Sequence, residues 1–204
     1  MILEAFNPEF RFSSVIKISP VWMKQKGFQC LLLDIDNTLL PRGSCVVPEE
    51  HLLWLKTLQD QGIAIILSSN NGGSRIKKIE KQLQEWQLQI PVMAWAGKPL
   101  PMAYRDVFQI MHSSYSNPSS LRILAAGDQL FTDVLGAHWA GLPAAWLRPL
   151  SRNDFISTKI LRILERWLAN YFDSKGTLPQ EDVEYQALNF FNGYKLFQCN
   201  GKQE

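Results

Sequence analysis

Between residues 28 and 148 short apolar runs alternate with longer segments in which apolar residues recur every three or four positions. That alternation predicts strands separated by helices. The strand-like runs are Leu31–Leu33 continuing to Asp34, Ile63–Leu67, Val92–Trp95, Leu121–Ala126 and Ala144–Leu147. Most are apolar throughout, the pattern of strands buried on both faces of a parallel sheet. Pro48 opens a helix with Glu49 and Glu50 in its first turn and Gly62 as its stop, as the helix dipole favours. Ile76, Ile79, Leu83 and Trp86 mark one face of the next helix, Pro101 to about His112 a third, and a small-residue helix runs to Gly141. The expected fold is therefore α/β: a Rossmann-like, mostly parallel sheet flanked by helices, with polar groups gathered at its carboxyl edge.

The flanks are less regular. Residues 1–27, broken by Asn7-Pro8 and Ser19-Pro20, read as a lead-in with a helix near Pro20–Lys26, whose Val21, Trp22 and Met23 either pack on the domain or touch a surface. After a turn at Pro41-Arg42-Gly43-Ser44, Cys45–Val47 is expected to return as a short extended flap. Ser113–Ser120 is a polar loop. A further helix over Asn153–Tyr171, within a 151–172 segment, sets Ile156, Ile160, Ile163, Leu164, Trp167 and Leu168 against Lys159, Arg162 and Arg166. The same pattern serves a helix packed on the domain and a basic helix lying on an anionic bilayer. Residues 173–204 read as a partly mobile tail despite the aromatic cluster Phe190, Phe191 and Tyr194.

Composition narrows the class. A chain of 204 residues with 46% hydrophobic content can bury one full core, here placed at 28–150,. A net charge of +2 gives no field for a polyanion, so nucleic acid is not indicated,. Cys30, Cys45 and Cys199 lack metal-ligand spacing and are odd in number, which fits a reducing compartment,. The start has no secretory pattern, and no run approaches the ~20 apolar residues of a membrane span. A cytoplasmic protein, soluble or peripheral on a membrane, is expected.

The chemistry concentrates in Leu31-Leu32-Leu33-Asp34-Ile35-Asp36-Asn37-Thr38-Leu39-Leu40. Two acids two positions apart at a strand end can face one pocket, and in an apolar setting they need a cation, a shared proton or solvent. Mg²⁺, a hard oxygen-seeking ion, is one answer. An EF-hand is excluded, because Leu39 stands where its glycine belongs and Cys45 where its glutamate belongs,. A buried strand ending in a polar turn and an aspartyl nucleophile with an acid/base partner both remain.

Other strand ends carry Ser69 with Asn70, Lys98, and Asp128 with Asp133. Singly these are ordinary: a helix cap, a solvated lysine, a turn. Together they fall where a doubly wound sheet collects its strand ends. A phospho-receiver domain would combine similar groups without turnover. It needs a further aspartate at another strand end, and Asp60, the only candidate, lies inside a predicted helix. His51, His112 and His138 have no partnered spacing and receive no role.

Asp34-Ile35-Asp36-Asn37-Thr38-Leu39, then Ser69-Asn70, Lys98-Pro99 and Gly127-Asp128-Gln129-Leu130-Phe131-Thr132-Asp133, resembles in order the four motifs of haloacid dehalogenase (HAD) superfamily phosphatases. Closer still is the YqeG group of subfamily IIIA, related to mitochondrial phosphatidylglycerophosphate phosphatase. The resemblance covers roughly residues 20–150 and implies a Mg²⁺-dependent phosphomonoester hydrolase, without room between motifs for a large cap domain. By position, Asp34 would be the nucleophile and a metal ligand, joined by Asp128 and the Asp36 backbone carbonyl. Asp36 would protonate the leaving group and then activate water, and Lys98 would steady the nucleophile and the transferring oxygens. Ser69 and Asn70 would bind the phosphoryl group, with Thr38 and Asp133 in support. The resemblance points to a lipid phosphate at a membrane surface, with Trp22 and the 153–171 helix as contact points. A soluble sugar or nucleotide phosphate is the alternative.

Overall fold

A computed structural model describes residues 2–114, 122–151 and 156–182. Six strands form one all-parallel sheet: β1 Phe10–Phe12, β2 Cys30–Asp34, β3 Ala64–Ser68, β4 Val92–Met93, β5 Ile123–Gly127 and β6 Ala144–Leu147, in spatial order β1-β6-β5-β2-β3-β4. Helices α1 Pro20–Gln25, α2 Glu49–Asp60, α3 Ser74–Glu85, α4 Met102–Ser114, α5 Leu135–Trp139 and α6 Ile156–Ser174 surround it. Every residue of β2 and β5 is buried, as a sheet covered on both faces requires.

Period-two alternation divides β2 between two cores. Leu31 and Leu33 join Trp22, Leu55 and Ile79 on one face, while Cys30 and Leu32 join Val107, Val134 and Phe172 on the other. The chain leaves β2 toward β3 and β4, then crosses back to β5 on β2's other side. The strand order thus reverses between β2 and β5, and their carboxyl ends open the crevice where such sheets bind ligands.

The sheet begins before residue 28, because Phe10–Phe12 pairs with Ala145–Leu147. Three residues between breakers give too short a pattern for periodicity to register. The Trp22 region packs inward: Ser19 caps α1 by accepting from the Trp22 N–H at 3.1 Å, and Trp22 meets Phe10 and Phe12 edge to face. Of its apolar residues, Trp22 and Met23 are buried and Val21 is exposed, so this helix offers no aromatic surface contact. β4 is shorter than its apolar run because Trp95 turns out at φ 53° and is 73% exposed.

Residues 45–47 form no strand. Side chains of α3 hold this loop instead: Arg75 Nε donates to the Ser44 carbonyl at 2.6 Å, while Gln82 donates to that of Cys45 at 2.6 Å and accepts from the Val47 N–H at 3.0 Å. Residues 175–182 return to the domain, where Asp182 accepts from the Ser13 N–H at 3.0 Å. The loop at 115–120, the start of the 153–171 segment, Cys199 and the Phe190, Phe191, Tyr194 cluster lie outside the described residues.

His138 ties the amino-terminal turn to α5 through the Ala5 carbonyl at 2.6 Å and Glu9 Oε2 at 3.0 Å. The hydrogen bond to Glu9 holds its pKa above the ordinary value. A raised histidine lends stability that is complete below its unfolded value, about 6.5, and disappears as pH climbs through the native one. Melting temperature is expected to fall as pH rises from about 6 to 8, and Glu9→Gln to flatten that slope, as thermal melts at fixed ionic strength will register.

Candidate active site

β2 ends on Asp34, which stands in register with Ser68 of β3. Pairing of Leu33 with Ala126 sets the end of β5 alongside, and the chain just beyond it delivers Asp128. Gly127 is essential to this meeting, because a Cβ there would fall 2.2 Å from Asp133 Cγ. Its absence lets Asp133, buried in the π-helical turn Leu130–Val134, fold back beneath the strand end. Asp133 Oδ2 accepts from the Gln129 N–H at 3.1 Å.

Lys98 lies between two of these acids, with Nζ 2.7 Å from Asp34 Oδ1 and 2.7 Å from Asp133 Oδ1. All three side chains are at most 9% exposed. Asn70 places this lysine, accepting from its N–H at 2.8 Å and donating to its carbonyl at 2.9 Å. The Asn70 amide is therefore engaged with the Lys98 backbone through both its oxygen and its nitrogen.

Asp36 behaves differently from Asp34. The strand stops at Asp34, so the i, i+2 geometry no longer governs Asp36, which sits in the following turn. Its Oδ2 accepts from Ser69 Oγ at 2.8 Å and Asn71 Nδ2 at 2.9 Å, and its Oδ1 pairs with Arg75 Nη1 at 2.7 Å. Asn37 makes the turn, adopting φ 67°, a left-handed conformation asparagine tolerates better than most residues,. Its side chain binds Ser151, accepting from N–H and Oγ at 2.8 Å each and donating to the carbonyl at 3.0 Å. His51 holds the next bend through the Leu39 carbonyl at 2.6 Å. The Thr38 hydroxyl is buried without a hydrogen-bond partner.

One carboxylate oxygen from each of Asp34, Asp128 and Asp133 lies within 4.8 Å of the other two. Asp34 Oδ2 and Asp128 Oδ1 are buried with no hydrogen-bond partner, an expensive condition for carboxylates. Burial, reinforced by Asp133 and Asp128, pushes Asp34 up to about 8 against the pull of Lys98. Burial also pushes Asp128 up to about 6 despite Arg162. An all-oxygen donor set with two unsatisfied oxygens suits a hard divalent cation, so the buried acidic triad can hold a metal. The Asp36 carboxylate is not one of these three and is held by Ser69, Asn71 and Arg75.

Two residues of α6 reach the same place and are hidden from sequence reasoning by the ordinary look of charges on a helix's polar side. Arg162 pairs with Asp128 Oδ2 and donates to the Asp128 carbonyl at 2.6 Å. Glu165, 2% exposed, accepts from Arg162 Nη1 at 2.9 Å and from the Leu130 N–H at 2.7 Å. A cavity of about 210 Å³ opens at the opposite end of the sheet beside Ile63, Ala64, Ile90 and Pro91 and has no charged lining. It has no part in this chemistry.

Several known proteins are similar to this chain. The profile of the family described as mitochondrial PGP phosphatase matches residues 4–149. The probable phosphatase YqeG of Bacillus subtilis is 25% identical over 182 residues, 89% of this chain and all of that protein. A mitochondrial phosphatidylglycerophosphatase of Saccharomyces cerevisiae is 27% identical over 127 residues, 60% of this chain and 68% of its own. Among solved structures, the cobalt-bound deoxy-D-mannose-octulosonate 8-phosphate phosphatase of Haemophilus influenzae matches 72% of this chain and 90% of its own, with a TM-score of 0.44 and 11% identity. The four motifs lie on the strand ends of a parallel α/β sheet, and the family profile covers well over half the sequence: the chain belongs to the PGP phosphatase and YqeG family of HAD-type phosphatases.

Proposed function

We propose that this phosphatase works through an aspartyl-phosphate on Asp34 with Mg²⁺ as its cation, and that its substrate is the lipid phosphate phosphatidylglycerophosphate. The observation that carries the mechanism is Asp34 itself: buried at a strand end, one oxygen on Lys98 and the other without a partner. A carboxylate can attack a phosphate monoester only where positive charge offsets both anions. Lys98 supplies one such charge. Asp34, Asp128 and the Asp36 carbonyl would hold the cation, with Asp133 beside them, and it would supply further neutralisation of the phosphoryl oxygens.

An Asp34 oxygen bonds to phosphorus as the ester oxygen departs, and Asp36 gives that oxygen a proton. Asp36 then takes a proton from water, whose oxygen attacks the aspartyl-phosphate and frees inorganic phosphate and Asp34. Ser69, donating to Asp36, and Asn70, holding the Lys98 backbone, are proposed to turn part of their bonding toward the phosphoryl group when it is present. Thr38 and Asp133 support the first motif and Lys98.

The lipid assignment is supported by the family and by α6. Its inner side carries Glu165, Leu168 and Phe172, while Ile163, Leu164 and Trp167 are exposed beside the site. Among the described residues no helix is long and apolar enough to cross a membrane, so the lipid would be met at a surface. The test compares turnover of phosphatidylglycerophosphate in mixed micelles with that of soluble sugar and nucleotide phosphates, all with Mg²⁺. The proposal expects at least a tenfold higher kcat/KM on the lipid and a loss of that advantage in Trp167→Ser. Preference for the soluble esters contradicts the lipid assignment while leaving the phosphatase intact.

A further inference from the structure

We infer that Arg162 of α6 is a positioning residue of the metal centre, resting on the reading of Asp34 and Asp128 as its ligands. It lies outside all four motifs and beyond the matched residues 4–149. Its guanidinium grips Asp128 at two points, Oδ2 and the backbone carbonyl. The other carboxylate oxygen, Oδ1, is the one left buried without a hydrogen-bond partner. Arg162 thus fixes which oxygen of Asp128 remains for a cation. A carboxylate held at both its carbonyl and one oxygen cannot rotate away, so the ligand is set before the ion arrives.

Glu165 makes this arrangement compatible with binding a cation. It pairs with Arg162 at 2.9 Å and is itself anchored by the Leu130 N–H at 2.7 Å. Arginine and glutamate together add no net charge, so the acidic triad keeps its attraction for a divalent ion while gaining orientation. The network runs from Leu130, just after Asp128 in the chain, through two side chains of α6 and back to Asp128. Docking of α6 and occupancy of the metal centre are therefore linked, and each favours the other.

Mn²⁺ titration followed by electron paramagnetic resonance, on the full chain, reads occupancy without turnover. Arg162→Met keeps length and removes the donors, and the inference expects its Mn²⁺ Kd to be weaker by about tenfold or more, the usual scale for losing a partner of a metal ligand. Arg162→Lys, which restores a charge and a donor, should recover part of that loss. Arg166→Met removes the same charge from an exposed position one turn on and should bind as wild type does. Unchanged or tighter binding in Arg162→Met, or an equal loss in Arg166→Met, overturns the inference. If Arg162→Met lacks a cooperative melt, Glu165→Gln takes its place: Kd at least threefold weaker supports the inference, and an unchanged Kd overturns it. Failure of the phosphatase reading would show separately, as wild-type protein that binds Mn²⁺ yet releases no phosphate from any ester.

Discussion

Lys98→Met is expected to destabilise the metal-free protein by about 3–5 kcal/mol, the scale for removing one partner of a buried ion pair. Lys98 bridges Asp34 and Asp133 at 2.7 Å each, and all three side chains are almost fully buried. Without it the Asp34 and Asp133 side chains remain buried side by side with no cation between them, and the Asp128 carboxyl group adjoins them. Exposed ion pairs are worth far less because water screens them, and here water is excluded. Urea unfolding in the presence of a chelator will measure the loss, and added Mg²⁺ should return part of it by supplying the missing charge. Phosphatase activity should fall by about 10²–10³-fold, since Lys98 also offsets charge on the transferring group. A wild-type midpoint for Lys98→Met would show that the bridge contributes little.

Asp34→Asn should separate stability from catalysis in the opposite sense. Its carboxyl is pushed up to about 8 by burial and by its acidic neighbours. An acid with a raised native pKa keeps its proton in the fold while the unfolded chain has lost it, so it costs stability increasingly as pH rises from about 4 toward 8. Asparagine cannot ionise. Chelated Asp34→Asn is therefore expected to be at least as stable as wild type at neutral pH, with a flatter dependence of unfolding free energy on pH. Its activity should nevertheless fall by roughly 10³-fold or more, because no nucleophile remains. Melts and phosphate release measured on one preparation will test both halves.

The sheet and the identity of its strand ends were legible because β2 and β5 are short, apolar and fully buried, β3 is buried in all but its first residue, and a polar group stands at or just beyond the end of each. Periodicity was enough to set Asp34, Ser69, Lys98 and Asp128 on one edge. It could not set directions beyond the last strand residue. Asp34 and Asp36 read as two acids facing one pocket, with no sign of which groups each would bond; beside the left-handed Asn37 turn, Asp36 meets Arg75, Ser69 and Asn71. Asp133 takes its place in the acidic triad because Gly127 leaves room for it, a steric fact of tertiary approach.

The edges of the domain were obscure for the same reason. Phe10-Arg11-Phe12 has too few residues to announce a strand, and only its pairing with β6 makes it one. Trp22 had the same apolar signature whether it faced lipid or core, and the partner rings Phe10, Phe12 and Phe28 decide for the core. Arg162 is one cation among several on α6. That it touches Asp128, 34 positions earlier, depends on the helix folding back across the carboxyl edge, which no local pattern encodes.

The covalent step on Asp34 is the centre of this account. Rapid acid quench during turnover of an ester carrying labelled phosphate, followed by peptide mapping, tests it directly. The label should be found on the peptide containing Asp34, be released by hydroxylamine as an acyl phosphate is, and be absent from Asp34→Asn. Label on another residue, or sustained turnover by Asp34→Asn, would contradict it.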